Sequence, residues 1–146
     1  MKSTNEIKLT IPSKSSNEGY ARVAVSAFIA QLDPTVEELQ DIKTAVSEAV
    51  TNCIVHAYPD VIGKIYIMVQ LLDKNTVRIK IRDTGRGIED VQKAMEPLFT
   101  TGSEERSGLG FSVMESFMDK VTVTSKKGKG TSVTLTKRLS QRVKNA

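Results

Sequence analysis

A long stripe of apolar residues constrains this chain more than any other feature: Val36, Leu39, Ile42, Val46, Ala49, Val50 and Cys53, continuing to about Ala57. At 3.6 residues per turn these positions share one side of a helix about six turns long. A helix with so extended an apolar face needs a broad hydrophobic layer to lie on, which the rest of the chain has to supply. Its start is marked by Thr35 and Glu38 at capping-box spacing, with Pro34 just before the first turn. Tyr58-Pro59-Asp60 ends it.

The layer is legible as short strands. Ile7-Lys8-Leu9-Thr10-Ile11 alternates apolar and polar residues and stops at Pro12. Residues 65–72 and 76–82 read as a strand pair around the turn Asp73-Lys74-Asn75, and residues 121–125 and 131–136 as a second pair around Lys126-Lys127-Gly128-Lys129-Gly130. Helices are predicted over 17–31, with Val23, Ala24, Ala27, Phe28 and Ala30 inward, over 88–95 and over 109–118. Residues 96–107 carry no period and end in glycines. One strand, two helices, two strands, a loop, a helix and two strands imply an α+β fold: two layers, with helices on one face of a mixed, mainly antiparallel sheet. At 146 residues the expectation is a single domain, 1–146, with a tail over 138–146.

Composition narrows the function classes. No run approaches the ~20 apolar residues of a membrane helix, and the N-terminal residues lack the apolar core of a signal peptide. Cys53 is the sole cysteine, so no internal disulfide is available, and a soluble cytoplasmic protein is expected. The net charge of +4 comes from 21 basic and 17 acidic residues, with the excess in Lys126–Lys129 and from Lys137 to Lys144. With seven aromatics in the whole chain, those lysines lack the stacking partners of a nucleic-acid surface. A mild positive field suits phosphates or an acidic protein.

Four local patterns carry chemistry. Glu48, Asn52 and His56 at i, i+4 and i+8 form a polar row beside the apolar stripe, either a solvated helix edge or one wall of a ligand site. Asparagine is a poor helix former, and Ala45, Ala49 and Ala57 leave room for a ligand. Asp83-x-Gly85-x-Gly87 ends a strand, where a carboxylate can accept from an exocyclic amine and glycines permit close backbone approach. Gly108-Leu109-Gly110, preceded by Arg106, is read as leading into a helix whose free N–H groups suit phosphate, without the Lys-Ser/Thr of a Walker loop. Gly130-Thr131 opens the last strand.

In this order the four patterns resemble the GHKL superfamily of gyrases, heat-shock chaperones, histidine kinases and MutL proteins. Glu48-Ala-Val-Thr-Asn52-Cys-Ile-Val-His56-Ala-Tyr resembles the N box, Asp83-Thr-Gly85-Arg-Gly87 the G1 box, Gly108-Leu109-Gly110 the G2 box, and Gly130-Thr131 the closing motif. The likeness spans about residues 35–137. Histidine kinases add a phosphoacceptor domain, and the gyrase, MutL and chaperone members a transducer. The likeness therefore narrows to stand-alone bacterial serine kinases that act as anti-sigma factors. Asn17-Glu-Gly-Tyr-Ala-Arg22, Pro97-Leu-Phe-Thr-Thr101, Glu105-Arg-Ser-Gly-Leu-Gly-Phe111 and Met114-Glu-Ser-Phe-Met-Asp119 are similar to the sporulation anti-sigma F type. A general-stress anti-sigma B kinase and a detached histidine-kinase catalytic domain are the alternatives.

This resemblance implies a protein serine/threonine kinase that binds ATP or ADP with Mg²⁺. It makes Glu48 the general base, Asn52 the Mg²⁺ ligand and Asp83 the adenine acceptor, with Gly85 and Gly87 closing on the base. Residues 96–107 become a lid. Thr101, Gly108, Leu109 and Gly110 surround the phosphates, Arg106 reaches the γ-phosphate, and Thr131 belongs to the closing motif. The implied partners are a sigma factor of the sigma F type, held by a homodimer, and an anti-anti-sigma factor phosphorylated on serine. Glu18 and Arg22 match partner-contact positions, and His56 is expected to be structural.

Overall fold

The computed structural model describes residues 1–88, 90–95 and 106–140, with only the backbone of 106–109. Most of the lid expected over 96–107, including Thr101, and the end of the tail expected over 138–146 lie outside the described residues. The elements are β1 (Ser3–Pro12), α1 (Ser16–Ile29) with a 3₁₀ turn (Ala30–Leu32), α2 (Val36–Asn52) ending in a π turn (Cys53–Ala57), β2 (Lys64–Leu72), β3 (Thr76–Asp83), α3 (Val91–Met95), α4 (Arg106–Phe117), β4 (Lys120–Lys126) and β5 (Gly130–Arg138).

The strands form one five-stranded sheet in the order β1-β2-β3-β5-β4. The α+β expectation of helices against a mainly antiparallel sheet holds, and every pairing present is antiparallel. Two helices lie between β1 and β2, so the chain returns reversed. The parallel pair that the order would have allowed, β3 with β4, is pre-empted because β5 folds back between them, setting Arg82 opposite Ser132 and Ile81 opposite Val133.

Alternation puts Ile65, Ile67, Val69, Ile79, Ile81, Val133 and Leu135 on the buried face. Against it pack Val25 and Ile29 of α1, Ile42, Val46 and Val50 of α2, and Phe111 and Met114 of α4. The opposite face is polar: Arg82 stacks 4.2 Å over the Tyr66 ring, and Arg78 donates to Gln70, which donates to Glu6.

Two apolar faces differ from expectation. In α1 the buried residues are Ala21, Val25, Ser26 and Ile29, whereas Val23 is exposed. Apolar residues surround this helix almost completely, so spacing alone does not select its inner side. Val36, in the first turn of α2, is also exposed.

The α2 start folds as the capping box requires. Thr35 Oγ1 accepts the Glu38 N–H at 3.0 Å, and Glu38 Oε1 accepts the Thr35 N–H at 2.9 Å. Glu38 Oε2 also accepts the Ser140 N–H at 2.7 Å, fastening the helix start to the chain beyond β5. Slight burial pushes this carboxyl up, but the hydrogen bonds from Thr35 and Ser140 together outweigh it and hold Glu38 below the usual glutamate range.

Candidate functional site

The wall supplied by α2 and α4 comes first. Glu48 and Asn52 lie one turn apart on α2, both half-buried, beside Gly110 of α4. A methyl group on Gly110 would sit 3.2 Å from both Asn52 Nδ2 and Oδ1 and 3.4 Å from Glu48 Oε2. A methyl group there would press on the carboxylate and the carboxamide, so the first and third sequence patterns meet in close packing of α2 on α4. Asn52 Nδ2 is buried and has no hydrogen-bond partner among the described residues. A buried amide left so is unfavourable by about 1–3 kcal/mol unless something else engages it.

The second half forms around Asp83 at the end of β3, buried at 5% exposure. Its Oδ1 accepts the Gly85 N–H at 2.9 Å and the Thr131 N–H at 3.2 Å. The β5-next-to-β3 order brings Thr131 there, so the second and fourth patterns also converge. Burial pushes the Asp83 carboxyl above the usual aspartate range, against the lowering by the Gly85 and Thr131 N–H groups, the Cys53 thiol and the Arg82 charge. Burial, then the Asp83 carboxylate, push the Cys53 thiol well up, so it stays a neutral donor to Asp83. A cleft of about 310 Å³ opens here, lined by Asp83, Ser125, Lys126, Lys129 and Thr131 among others. A larger hollow of about 650 Å³ lies at the opposite end of α2, by Glu38, Asn75 and Arg138, and contains none of the four patterns.

The two glycines after Asp83 act differently from each other. Gly87 has φ +75° and packs on the Lys126 carbonyl of the last hairpin, whose Gly128 N–H donates to Arg86 O at 2.6 Å. Gly85 has no positive φ; its constraint is close approach to Ala57. The hairpin tip is therefore hooked onto the Asp83 loop.

Gly108-Leu109-Gly110 does not precede a helix as expected but lies inside the first turns of α4, which starts at Arg106. Its glycines misled the reading because close helix packing, rather than a turn, requires at least Gly110. The Arg106 and Leu109 side chains lie outside the described residues, as does Thr101. Glu18 and Arg22 pair on α1 at 3.6 Å, distant in sequence from Gly110, yet Ser47 of α2 donates to Glu18. His56 falls in the π turn, where the constant helical spacing that put it in one row with Glu48 and Asn52 no longer applies.

Sequence reasoning missed three site-forming residues. Cys53 was read as core only, which its spacing supports. Tyr58, read as a helix terminator, accepts the Thr84 N–H at 2.7 Å. Ser125 accepts the Ile88 N–H at 2.7 Å and lies 2.7 Å from Thr131 Oγ1. Nothing in a lone strand serine signals that role, and a tyrosine two residues after the polar row does not say which loop its hydroxyl holds.

The residues fit a magnesium-bound adenine nucleotide. An oxygen of Asn52 suits a hard cation, the Asp83 carboxylate a base amine, and the unpartnered Asn52 Nδ2 an acceptor on a ligand. Among the described residues no helix is long and apolar enough to cross a membrane.

Comparisons with known proteins show the family of the chain. Residues 11–137 match the model of the histidine kinase-like ATPase domain. The chain is 59% identical over 138 residues to an anti-sigma F factor of Caldanaerobacter subterraneus subsp. tengcongensis, covering 94% of this chain and 96% of that one. It is 53% identical over 137 residues to the anti-sigma F factor of Clostridium perfringens strain SM101, covering 93% and 98%. Among solved structures, the RsbU and RsbW domains of Rv1364c from Mycobacterium tuberculosis align with TM-score 0.71 at 22% identity, over 98% of this chain and 35% of that one. The blue-light activated histidine kinase EL346 of Erythrobacter litoralis aligns with TM-score 0.60 at 24% identity, over 82% and 41%. These two likenesses carry the fold alone. By sequence and fold, the chain belongs to the histidine kinase-like ATPase domain family, alongside the anti-sigma F factors.

Proposed function

We propose that this protein is an ATP-dependent anti-sigma factor that binds a sigma factor of the sigma F type and phosphorylates an anti-anti-sigma factor on serine. The observation that carries the reading is the packing of Gly110 against Glu48 and Asn52, with Asp83 fixed at the end of β3 by the Gly85 and Thr131 N–H groups. The names of its relatives supply the partner class. On this reading residues 1–146 act as one kinase domain, working as a homodimer.

Asp83 accepts the exocyclic amine of adenine, because the N–H groups of Gly85 and Thr131 leave it in a fixed orientation. Asn52 would hold Mg²⁺ through its side-chain oxygen, and a cation held there would supply charge neutralisation for phosphoryl transfer. Backbone N–H groups in the first turn of α4, at Gly108, Leu109 and Gly110, face anionic oxygens with the favourable end of the helix dipole. Arg106, at the head of that turn, and Thr101 complete the phosphate contacts. Glu48 takes the proton from the attacking serine hydroxyl. In phosphoryl transfer positioning and charge neutralisation provide most of the rate, so a single carboxylate is enough protein chemistry. Glu18 and Arg22 form the partner-contact face of α1, which Ser47 ties to the helix carrying Glu48.

The test is transfer from γ-labelled ATP to a purified anti-anti-sigma protein, with and without Mg²⁺. An acid-stable phosphoprotein is the expected product. An acid-labile one would reveal histidine transfer instead, and absence of Mg-ATP binding would remove the reading altogether.

A further inference from the structure

We propose that Tyr58 is a positioning residue for base recognition, its buried hydroxyl pinning the loop that carries Asp83 to the end of α2. The proposal rests on the reading of Asp83 as the adenine acceptor.

The π turn delivers Tyr58 to its place: its N–H donates to Cys53 O at 3.1 Å, five residues back, where an α-helix would bond four back. The side chain is 7% exposed. Its Oη accepts the Thr84 N–H at 2.7 Å and donates to the Lys64 carbonyl at 2.7 Å, with Thr84 Oγ1 at 3.3 Å. One phenol thus uses donor and acceptor together to join the start of β2 to the residue after Asp83. The ring is wedged against Gly63, where any side chain would collide with it. Gly63 is itself fastened to Ser13 by two hydrogen bonds of 2.9 Å.

Next to this link lies a second: the Ala57 carbonyl accepts the Arg86 N–H at 3.2 Å, and Gly85 packs on Ala57. Residues 57 and 58 therefore hold both sides of the Asp83-Thr84-Gly85-Arg86 turn. The peptide between Asp83 and Thr84 is the one whose N–H Tyr58 takes, so its orientation governs where the Asp83 side chain begins. Glu48 and Asn52 sit on the same helix that ends in Tyr58. The hydroxyl consequently sets the separation between the group that reads the base and the groups that face the phosphates.

Tyr58→Phe keeps the ring and deletes the link, leaving the Thr84 N–H and Lys64 C=O without it. The experiment measures dissociation constants of Mg-ATP and of Mg-ITP, which carries a 6-oxo group in place of the amine, for wild type and variant. Hydrogen exchange at the Thr84 amide is followed in parallel. The wild type should prefer ATP and protect Thr84. The variant should lose about tenfold in ATP affinity with a smaller change for ITP, while Thr84 exchange accelerates and Ile79 and Ile81 stay protected. An equal loss for both nucleotides, or a lower melting temperature with the ATP/ITP ratio unchanged, overturns the positioning role. Rapid Thr84 exchange in the wild type overturns it without reference to any variant. A wild type that binds Mg-ATP without preferring it to Mg-ITP overturns the adenine-acceptor reading and this proposal with it, whereas one that binds neither overturns the proposed function as a whole.

Discussion

Asn52 and Gly110 face each other so closely that both polar atoms of the carboxamide lie 3.2 Å from where a methyl group on Gly110 would be. The contact joins a helix near the start of the chain to one near its end. Gly110→Ala must then displace the carboxamide, α4, or both. Overpacking of this kind is unfavourable by about 1–3 kcal/mol. The expected result is a loss of Mg-ATP affinity of roughly tenfold or more by calorimetry, with ATP binding measured in EDTA affected less. Equal loss with and without the metal would detach Asn52 from the cation.

Glu48→Gln preserves size and hydrogen-bonding reach but removes the proton acceptor. Single-turnover label transfer should slow by about 10²–10⁴-fold, with the Mg-ATP dissociation constant changed only slightly. If binding and transfer decline in parallel, the carboxylate is a ligand contact rather than the base.

The upward shift of the Asp83 pKa has consequences of definite sign. Under the proposed function adenine recognition needs the ionised Asp83 carboxylate, so nucleotide affinity should fall on acidification at a higher pH than an exposed aspartate would give. For the nucleotide-free fold the sign is reversed. A carboxyl whose folded value lies above its unfolded value contributes stability at low pH and loses it as the pH rises through the folded value. At neutral pH its buried charge is therefore a burden. Asp83→Asn should bind ATP weakly and without this pH dependence, yet melt no lower than wild type at pH 7 in the absence of nucleotide. A strongly lowered melting temperature would contradict that account.

The capping box makes a prediction about stability alone. Thr35→Ala deletes the acceptor for the Glu38 N–H and should destabilise by about 1 kcal/mol, lowering the melting temperature by about 2–4 °C. Glu38 contributes with the opposite sign to Asp83: its depressed value means stability present above the unfolded value and lost as the pH falls through the folded one. Glu38→Gln should therefore flatten the acid limb of the stability curve. Mg-ATP affinity should be unchanged in both variants, since this end of α2 is remote from Asn52.

Arg22→Glu places two like charges at i and i+4 with Glu18 and breaks the pair that Ser47 supports. Under the proposed function, sigma-factor binding should drop by at least tenfold in the presence of ATP while Mg-ATP affinity stays within about twofold. Sigma binding as tight as wild type would move the contact face elsewhere.

Periodicity reveals the long helix, its capping box and all five strands because each pattern is local. Strand order was not legible: that β5 lies between β3 and β4 depends on which edges meet, which no alternation of residues encodes. The inner face of α1 was misassigned for a related reason, since apolar residues lie on most of its sides. The candidate site was legible as four separated signatures, and the structure brings Glu48 and Asn52 to Gly110, and Asp83 to Thr131. The residues that hold the pieces in register, Tyr58 and Ser125, were not. Their function comes from hydrogen bonds across tens of residues of sequence, and a single hydroxyl leaves no pattern in the chain.

Placing β5 beside β3 also imposes a timetable on synthesis. Asp83 leaves the ribosome long before Thr131, the partner that supplies its second N–H, and Gly128, which hooks the last hairpin onto Arg86. A nascent chain with both early helices formed would still lack the second N–H partner of Asp83. The pair of N–H groups that orients Asp83 is therefore complete only once the last hairpin has closed the sheet.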